Sequence, residues 1–303
     1  MRPAVVYHPD SLPYLDGWKA LGDAIHMVDI TKYSGKPLAD CHAAYMRIGH
    51  ALKWRVGLDA LKVQRHLSSQ GVKIVNPLET KLQAERKDVY YRILANDGLR
   101  TPTCITMPEA NELRFAIEVD ALRYPFVLRV VDGLQGKGTR LISGDDDMEQ
   151  SLREFGVKDR IAACEYIDKP KGSEYFIKWR PYIFGGKVDM WEATISRRWK
   201  ATVANNLDFR PEDFAAVNAV AKWPLHWNSV AEKCAGQLGL SVCALDMIFD
   251  PKDGRPVIVD VNSTYGYQCD KIEREKKITL FDPKVQAIRA GHFRRLADWL
   301  GSL

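Results

Sequence analysis

The sequence lacks an apolar run long enough for a membrane span. About 20 consecutive apolar residues are needed to cross a bilayer, and no segment of the 303 residues approaches that length. The opening residues, MRPAVVYHPD, also lack the apolar core of a secretory signal. We therefore expect a cytoplasmic protein with no membrane partner.

Paired cysteine motifs and long basic blocks are missing too. The six cysteines form no Cys-x-x-Cys pair, so we expect reduced thiols and no metal site built from Cys and His. Lys and Arg number 44 against 39 Asp and Glu, a net charge of +5. This excess is compatible with an anionic ligand. Without a basic stripe or interleaved basic and aromatic residues, no nucleic-acid partner is expected.

The length and the pattern of apolar residues predict several lobes of mixed α/β structure. A chain of 303 residues exceeds one typical core. Over residues 1–78, short apolar strand segments alternate with helical patterns, which predicts a small α/β lobe. Further along, β-rich segments alternate with single helices, which predicts α+β structure.

Periodicity and turn residues place most of the later elements. Helices are predicted at about 82–97, 146–154, 228–238 and 283–300, and strands at 125–131, 139–142, 160–167, 175–184, 188–196, 241–250 and 255–262. Residues 101–107 are predicted to be an extended connector. The strongest hairpin signal is the turn Pro251-Lys-Asp-Gly254 between two β-rich runs.

The glycine-rich segment 133–138 is the first candidate for chemistry. Three glycines at a hairpin tip, Gly133, Gly136 and Gly138, let backbone N–H groups approach a phosphate chain closely. The segment is not a Walker A loop, because Gly138 follows Lys137 where Ser or Thr is required. Taken alone, such a segment is more often only a turn.

The second candidate is an all-oxygen set on the late hairpin. Asp246 lies within an apolar strand, and Asp260 and Asn262 are two residues apart on the next strand, so they share a face. Two carboxylates and an amide oxygen suit Mg²⁺. The alternative is that Asp246 is a structural acid with a buried partner, but unpaired acids are costly to bury, which favours the metal.

Two further features could have a functional or a structural role, depending on the residues around them. The segment CEYID at 164–168 could present its main chain to a purine, or be an ordinary strand. Arg129 lies within the apolar strand PFVLRVV, where a buried cation needs an anion. Arg180 and Arg198 belong to a group of basic residues that could equally be solvated.

In their order, these segments resemble the ATP-grasp superfamily, in the branch of glutathione synthetase and the ligases that add glutamate or other amino acids to a carboxylate. The resemblance covers about residues 76–272. Its motifs are NPLETKLQAERKDVYYRIL with GLRTPTC, YPFVLRVVDGLQGKGTRLI, CEYID, WRPYIFGGKV, RRWKATVANN, and LGLSVCALDMIF with VIVDVNSTYG. It implies an ATP-grasp fold in which two α+β lobes, 79–168 with the glycine flap and 169–303 with the metal site, clasp ATP after the α/β lobe.

The resemblance also implies roles for single residues. Nucleotide contacts fall on the phosphate-binding cations Lys87 and Arg129, on the flap residues Gly133, Gly136, Lys137 and Gly138, on the adenine hinge Glu165, Tyr166 and Ile167, and on Glu174 for the ribose. Mg²⁺ ligands fall on Asp246, Asp260 and Asn262, and catalytic roles on Arg180, Arg198 and Asn262. Arg129 departs from the usual Lys of the family and Asp260 from the usual Glu, both with charge retained.

The implied reaction is ATP-dependent ligation through an acyl phosphate. A carboxylate attacks the γ-phosphorus of ATP, ADP leaves, and an amine or similar nucleophile displaces phosphate. The implied cofactors are ATP and Mg²⁺, with Mn²⁺ as an alternative. The implied partners are a small-molecule or peptide carboxylate and an amine, and a homodimer is compatible with the resemblance. The alternatives are a kinase on the same scaffold and a non-catalytic nucleotide-binding protein. The acid and the nucleophile remain open, because residues 1–75 match no named member.

Overall fold

The strands of the protein form three sheets of four strands each within the described part of the chain. The computed structural model describes residues 2–10, 15–49, 54–106, 110–131, 138–155, 161–199, 209–264, 273 and 280–303. Within these ranges, no helix combines the length and apolar character that a membrane span requires. The mixed α/β content agrees with the fold class predicted from the sequence.

The first sheet, sheet A, is parallel, with strand order β2-β1-β3-β4. Its elements are β1 (Ala4–Tyr7), α1 (Asp16–Lys19), β2 (His26–Asp29), β3 (Ala43–Arg47), α2 (Trp54–Ser69) and β4 (Lys73–Val75). All five residues of β3 are buried, because helices cover both faces of a parallel sheet. This confirms the predicted α/β character of the N-terminal region.

The single helix predicted over 82–97 is wrong, since two helices occupy the region: α3 (Leu78–Ala84) and α4 (Lys87–Asn96). The break falls at Arg86, whose backbone is extended, with φ −103° and ψ 100°. The Arg86 side chain donates to the Asp88 carboxylate at 2.7 Å, which stabilises the break. Lys87 therefore begins α4 instead of lying inside a longer helix.

The second sheet, sheet B, is antiparallel, with strand order β5-β8-β6-β7. Its elements are β5 (Cys104–Thr106), α5 (Ala110–Glu118), β6 (Phe126–Val130), β7 (Thr139–Ile142), α6 (Asp145–Glu154) and β8 (Ile161–Glu165). The extended connector predicted at 101–107 thus contains a paired edge strand. Helices α5 and α6 bury one face through Leu113, Met148 and Leu128.

The third sheet, sheet C, is antiparallel, with strand order β10-β9-β11-β12. Its elements are β9 (Phe176–Phe184), β10 (Lys187–Ser196), α7 (Pro211–Asn218), α8 (Asn228–Gln237), β11 (Val242–Phe249) and β12 (Pro256–Asn262), followed by α9 (Pro283–Gly301). Helices α4 and α8 pack on this sheet through Leu94, Ala231 and Met247. The β11–β12 hairpin confirms the one predicted from the turn at 251–254.

Candidate active site

A cavity of about 620 Å³ lies between sheets B and C, and we refer to it as the inter-sheet cavity. Sheet B contributes side chains such as Arg129 and Cys164, and sheet C contributes Lys178, Asp246 and Asp260. The segment 165–170, which leads from sheet B to sheet C, also lines it. Several of the predicted nucleotide residues and the two predicted metal carboxylates therefore meet in one concave space, the usual form of a ligand site.

The predicted metal residues share one face of the β11–β12 hairpin. Asp246 pairs directly with Asp260 in the antiparallel register, and Asn262, two residues on, pairs with Ala244. Because side chains alternate along a strand, Asp260 and Asn262 project on the same side. The Asn262 amide nitrogen is buried and has no hydrogen-bond partner among the described residues.

Asp246 is a buried acid held by two cations of β9. Its Oδ1 accepts from Arg180 Nε at 2.7 Å, and its Oδ2 accepts from Lys178 Nζ at 2.8 Å. Burial raises the pKa of Asp246, but Arg180 and Lys178 outweigh it and lower the pKa overall. Asp246 is therefore a carboxylate at neutral pH, as the pairing of a buried charge requires.

Asp260 is held by groups of α4. Lys87 Nζ lies 3.0 Å from Asp260 Oδ1, and the Tyr90 hydroxyl donates to the same oxygen at 3.1 Å. Burial raises the pKa of Asp260, yet Lys87 and Arg129 lower it to about 2 overall. The start of α4 thus places a predicted phosphate-binding cation directly on a predicted metal ligand.

Arg129 lies on the cavity face of β6 with an unused donor. Its Nε is buried and has no hydrogen-bond partner within the described ranges. Burial lowers the pKa of Arg129, whereas the nearby Tyr91 and Asp260 raise it, and the net direction is upward. A permanently charged guanidinium beside an open cavity suits an anion such as a phosphate.

The carboxylate of Glu165, in the predicted adenine hinge, is held by Arg100. Both oxygens of the Glu165 carboxylate lie 2.8 Å from Arg100 Nη2. The same nitrogen contacts the buried carboxylate of Asp250 at 3.1 Å. The sequence did not reveal Arg100, because its partners are 65 and 150 residues away. Tyr166 and Ile167 line the cavity beyond it.

Other predicted residues lie elsewhere. Glu174 and Arg198 are exposed and do not line the inter-sheet cavity; the Glu174 carboxylate accepts from Arg197 Nε at 2.9 Å. Gly138 has a φ of +64°, and its backbone oxygen accepts from Val130 N at 2.9 Å, which closes the β6–β7 hairpin. Gly133, Gly136 and Lys137 lie outside the described residues.

Three side chains of the N-terminal part donate hydrogen bonds to Ser263, the residue after Asn262. We call this arrangement the Ser263 clamp. The Ser263 carbonyl accepts from Tyr45 Oη at 3.0 Å, Lys81 Nζ at 3.1 Å and Asn76 Nδ2 at 3.3 Å. Lys81 is fully buried and also donates to Ser263 Oγ at 3.1 Å. The clamp therefore fixes the end of β12, where Asn262 lies.

Burial of Lys81 predicts a dependence of stability on pH. Desolvation, opposed by Glu85 and reinforced by Arg47, lowers the pKa of Lys81 to about 7. Between pH 7 and the ordinary pKa range of Lys, the unfolded chain binds more protons at this side chain than the folded protein does. The contribution of Lys81 to the free energy of unfolding therefore rises with pH above about 7 and is constant below it. Urea titrations of the Lys81→Met variant at pH 7 and 9 should show a smaller rise than the wild type. Equal changes in both proteins would contradict a lowered pKa.

The donor set fits a hard divalent cation. Asp246, Asp260 and Asn262 offer only oxygen ligands, and both acids are ionised. Two carboxylates leave coordination positions for water and phosphate, which Mg²⁺ requires. No group of three or more His, Cys, Asp or Glu side chains in the described ranges forms a metal cluster.

Comparison with known proteins places this arrangement in a family. The sequence pattern of the RimK-like ATP-grasp domain matches residues 84–288, more than half of the chain. The chain belongs to the RimK-like ATP-grasp family. The match spans sheets B and C, both faces of the inter-sheet cavity, and begins at the end of α3.

Relatives of this RimK-like protein are named as ligases. It is 28% identical over 244 residues to a probable alpha-L-glutamate ligase of Stenotrophomonas maltophilia, covering 78% of this chain and 75% of the relative. It is 22% identical over 227 residues to the coenzyme gamma-F420-2:alpha-L-glutamate ligase of Methanococcus maripaludis, covering 74% and 75%. These matches confirm the predicted class of activity, ATP-dependent carboxylate–amine ligation.

Solved structures confirm the predicted fold. A RimK domain ATP-grasp protein from Sphaerobacter thermophilus superimposes with a TM-score of 0.59 at 18% identity, covering 99% of both chains. The likeness therefore includes the N-terminal sheet A, for which the sequence motifs offered no match. The RimK-like protein has an ATP-grasp fold.

Proposed function

We propose that the protein uses ATP to activate an acceptor carboxylate as an acyl phosphate and joins it to the amino group of L-glutamate. The names of two relatives, both alpha-L-glutamate ligases, support glutamate as the nucleophile. The structural observation that carries the proposal is the convergence of Asp246, Asp260 and Arg129 on one cavity. The acceptor is a carboxylate of a small molecule or a peptide.

In this proposal ATP lies in the inter-sheet cavity, with its adenine and its phosphates held by different segments. The main chain at Tyr166 and Ile167 meets the adenine, while Arg129 and Lys87 meet the phosphates. Lys87 contacts Asp260, which lines the cavity, and Arg129 lines it with an Nε that has no hydrogen-bond partner among the described residues. Charge fixed in place before the reaction stabilises the charge that develops during phosphoryl transfer.

Mg²⁺ would be held by Asp246, Asp260 and Asn262, and when bound it neutralises phosphate charge. Other residues of the chain keep these ligands ionised and in position. Arg180 and Lys178 hold Asp246 ionised, and the Ser263 clamp fixes the strand end that carries Asn262. Arg180 is therefore a positioning residue of this site, in contrast to the direct catalytic role that the resemblance implied.

The test is to incubate the protein with ATP, Mg²⁺, pooled carboxylates and hydroxylamine. Release of ADP together with a hydroxamate is the expected result, because hydroxylamine traps an acyl phosphate. Replacement of hydroxylamine by L-glutamate should then yield an amide, whereas L-aspartate should yield little. A phosphorylated product without hydroxamate would instead establish a kinase and overturn the proposal.

A further inference from the structure

Cys104 and Cys164 face each other across two strands of sheet B. They are directly paired in the β5–β8 register, and their Sγ atoms lie 3.1 Å apart. In the adjacent pair, Glu165 N donates to Thr103 O at 2.8 Å. Hydrogen-bonded and non-hydrogen-bonded pairs alternate in an antiparallel ladder, so Cys104 and Cys164 form a non-hydrogen-bonded pair, the kind in which side chains are closest.

This pairing allows a covalent bond without a change of fold. The Cα atoms of a non-hydrogen-bonded pair are about 4.5 Å apart, within the range of about 4.4–6.8 Å that disulfides occupy. Both sulfurs belong to cysteines that are free in the structure. Cys234 and Cys243, by contrast, are fully buried and do not line the inter-sheet cavity.

The pair lies on the cavity side of sheet B. Cys164 pairs with Val127 on β6, and Arg129 is two residues on, so Cys164 and Arg129 share a face. Cys164 lines the inter-sheet cavity, and Cys104 is partly exposed. Only 4% of Cys164 is exposed, so the cavity is the side from which a small oxidant can approach its sulfur.

The two thiols have different electrostatic surroundings. The hydrogen bond from Cys104 lowers the pKa of Cys164 against the effect of burial, and Arg129 and Lys87 lower it further. The same hydrogen bond, with burial, raises the pKa of Cys104. Since Cys164 lines the inter-sheet cavity, whereas Cys104 does not, and the pKa of Cys164 is the one that is lowered, Cys164 is the attacking sulfur and Cys104 the resolving one.

We propose that Cys104 and Cys164 are a redox modification site in the wall of the inter-sheet cavity, converted to a disulfide by hydrogen peroxide. The Cys164 sulfur attacks one peroxide oxygen, the O–O bond breaks, and a sulfenic acid and water form. The Cys104 sulfur then attacks the Cys164 sulfur, the S–O bond breaks, and a second water leaves. Two thiols are oxidised and one peroxide is reduced to two waters.

The disulfide weakens nucleotide binding, a consequence that rests on the proposed function. It joins β5 to β8 immediately before the hinge that begins at Glu165, and it removes the Cys164 thiol from beside Arg129. We expect the Kd for ATP to rise about threefold or more. Such a rise is a small change in the free energy of ATP binding.

The first measurement is of the bond itself and needs no nucleotide. The full chain is treated with hydrogen peroxide, its remaining thiols are alkylated, and peptides are analysed by mass spectrometry with and without dithiothreitol. A 104–164 cross-link that dithiothreitol reverses is expected in the wild type and in the Cys41→Ser control. Cys104→Ser should instead stop at oxidised Cys164. Alkylation of both Cys104 and Cys164 after treatment would overturn the proposal.

The second measurement compares ATP affinity before and after oxidation. The wild type should lose affinity and recover it with dithiothreitol, and the Cys104→Ser variant should not show the reversible loss. An unchanged Kd in the cross-linked wild type would overturn the regulatory consequence. Absence of ATP binding in the reduced chain would contradict the proposed function while the cross-link could still form, so the two failures are distinguishable.

Discussion

Asp260→Asn should reduce ATP turnover at least about 100-fold, because even partners outside a metal's ligand shell contribute 10- to 100-fold and Asp260 is proposed as a ligand. The substitution keeps the shape of the side chain and removes the charge that faces Lys87 and Arg129. Steady-state ADP release at saturating Mg²⁺ measures the effect.

Asp260→Glu is the matched control for this change. It restores the longer acid that the ATP-grasp family usually has, and it keeps a negative charge beside Lys87. We expect most activity to remain in this variant. A fully active Asp260→Asn enzyme would show that the carboxylate serves only as the partner of Lys87.

Arg180→Met should lower the free energy of unfolding by about 3 kcal/mol, the lower end for breaking a buried ion pair. Arg180 and Asp246 are both buried, and Lys178 alone would remain to balance the acid. Thermal unfolding should show the loss as a fall in Tm of roughly 6 °C or more. Activity should fall with it, because Asp246 is no longer held in place.

Lys178→Met is the control for Arg180→Met. It separates loss of the buried Arg180–Asp246 pair from loss of a positive charge beside Asp246. Lys178 is more exposed than Arg180, 13% against 6% of the side chain, so its loss leaves Asp246 with its better buried partner. A smaller loss of stability is expected. Equal stability of the wild type and Arg180→Met would mean that Arg180 does not hold Asp246 in the fold.

The sequence was sufficient to predict those elements whose structure is determined by local patterns. Strand β7 was predicted at its observed bounds, and the β11–β12 hairpin followed from its turn, because short-range chemistry specifies both. The hairpin then brought Asp246 opposite Asp260, as strand alternation requires. The roles of these residues stay predictions that the variants above test.

The remaining features depend on contacts between distant segments. The Ser263 clamp joins Lys81 to a residue 182 positions away, and no local pattern encodes such a contact. The pairing of Cys104 with Cys164 was hidden because β5 is a three-residue edge strand within a segment that reads as a connector. Glu174, which the resemblance implied as the ribose contact, accepts instead from Arg197 of a distant segment.

The Ser263 clamp has a consequence for how the chain can be divided. The family match begins at residue 84, so a fragment cut to 84–288 would keep both sheets of the inter-sheet cavity and lose Tyr45, Asn76 and Lys81. The Ser263 carbonyl would lose all three of these donors. Residues far outside the stretch that defines the family therefore restrain the strand end that carries Asn262, and a fragment without them would present that strand end to water.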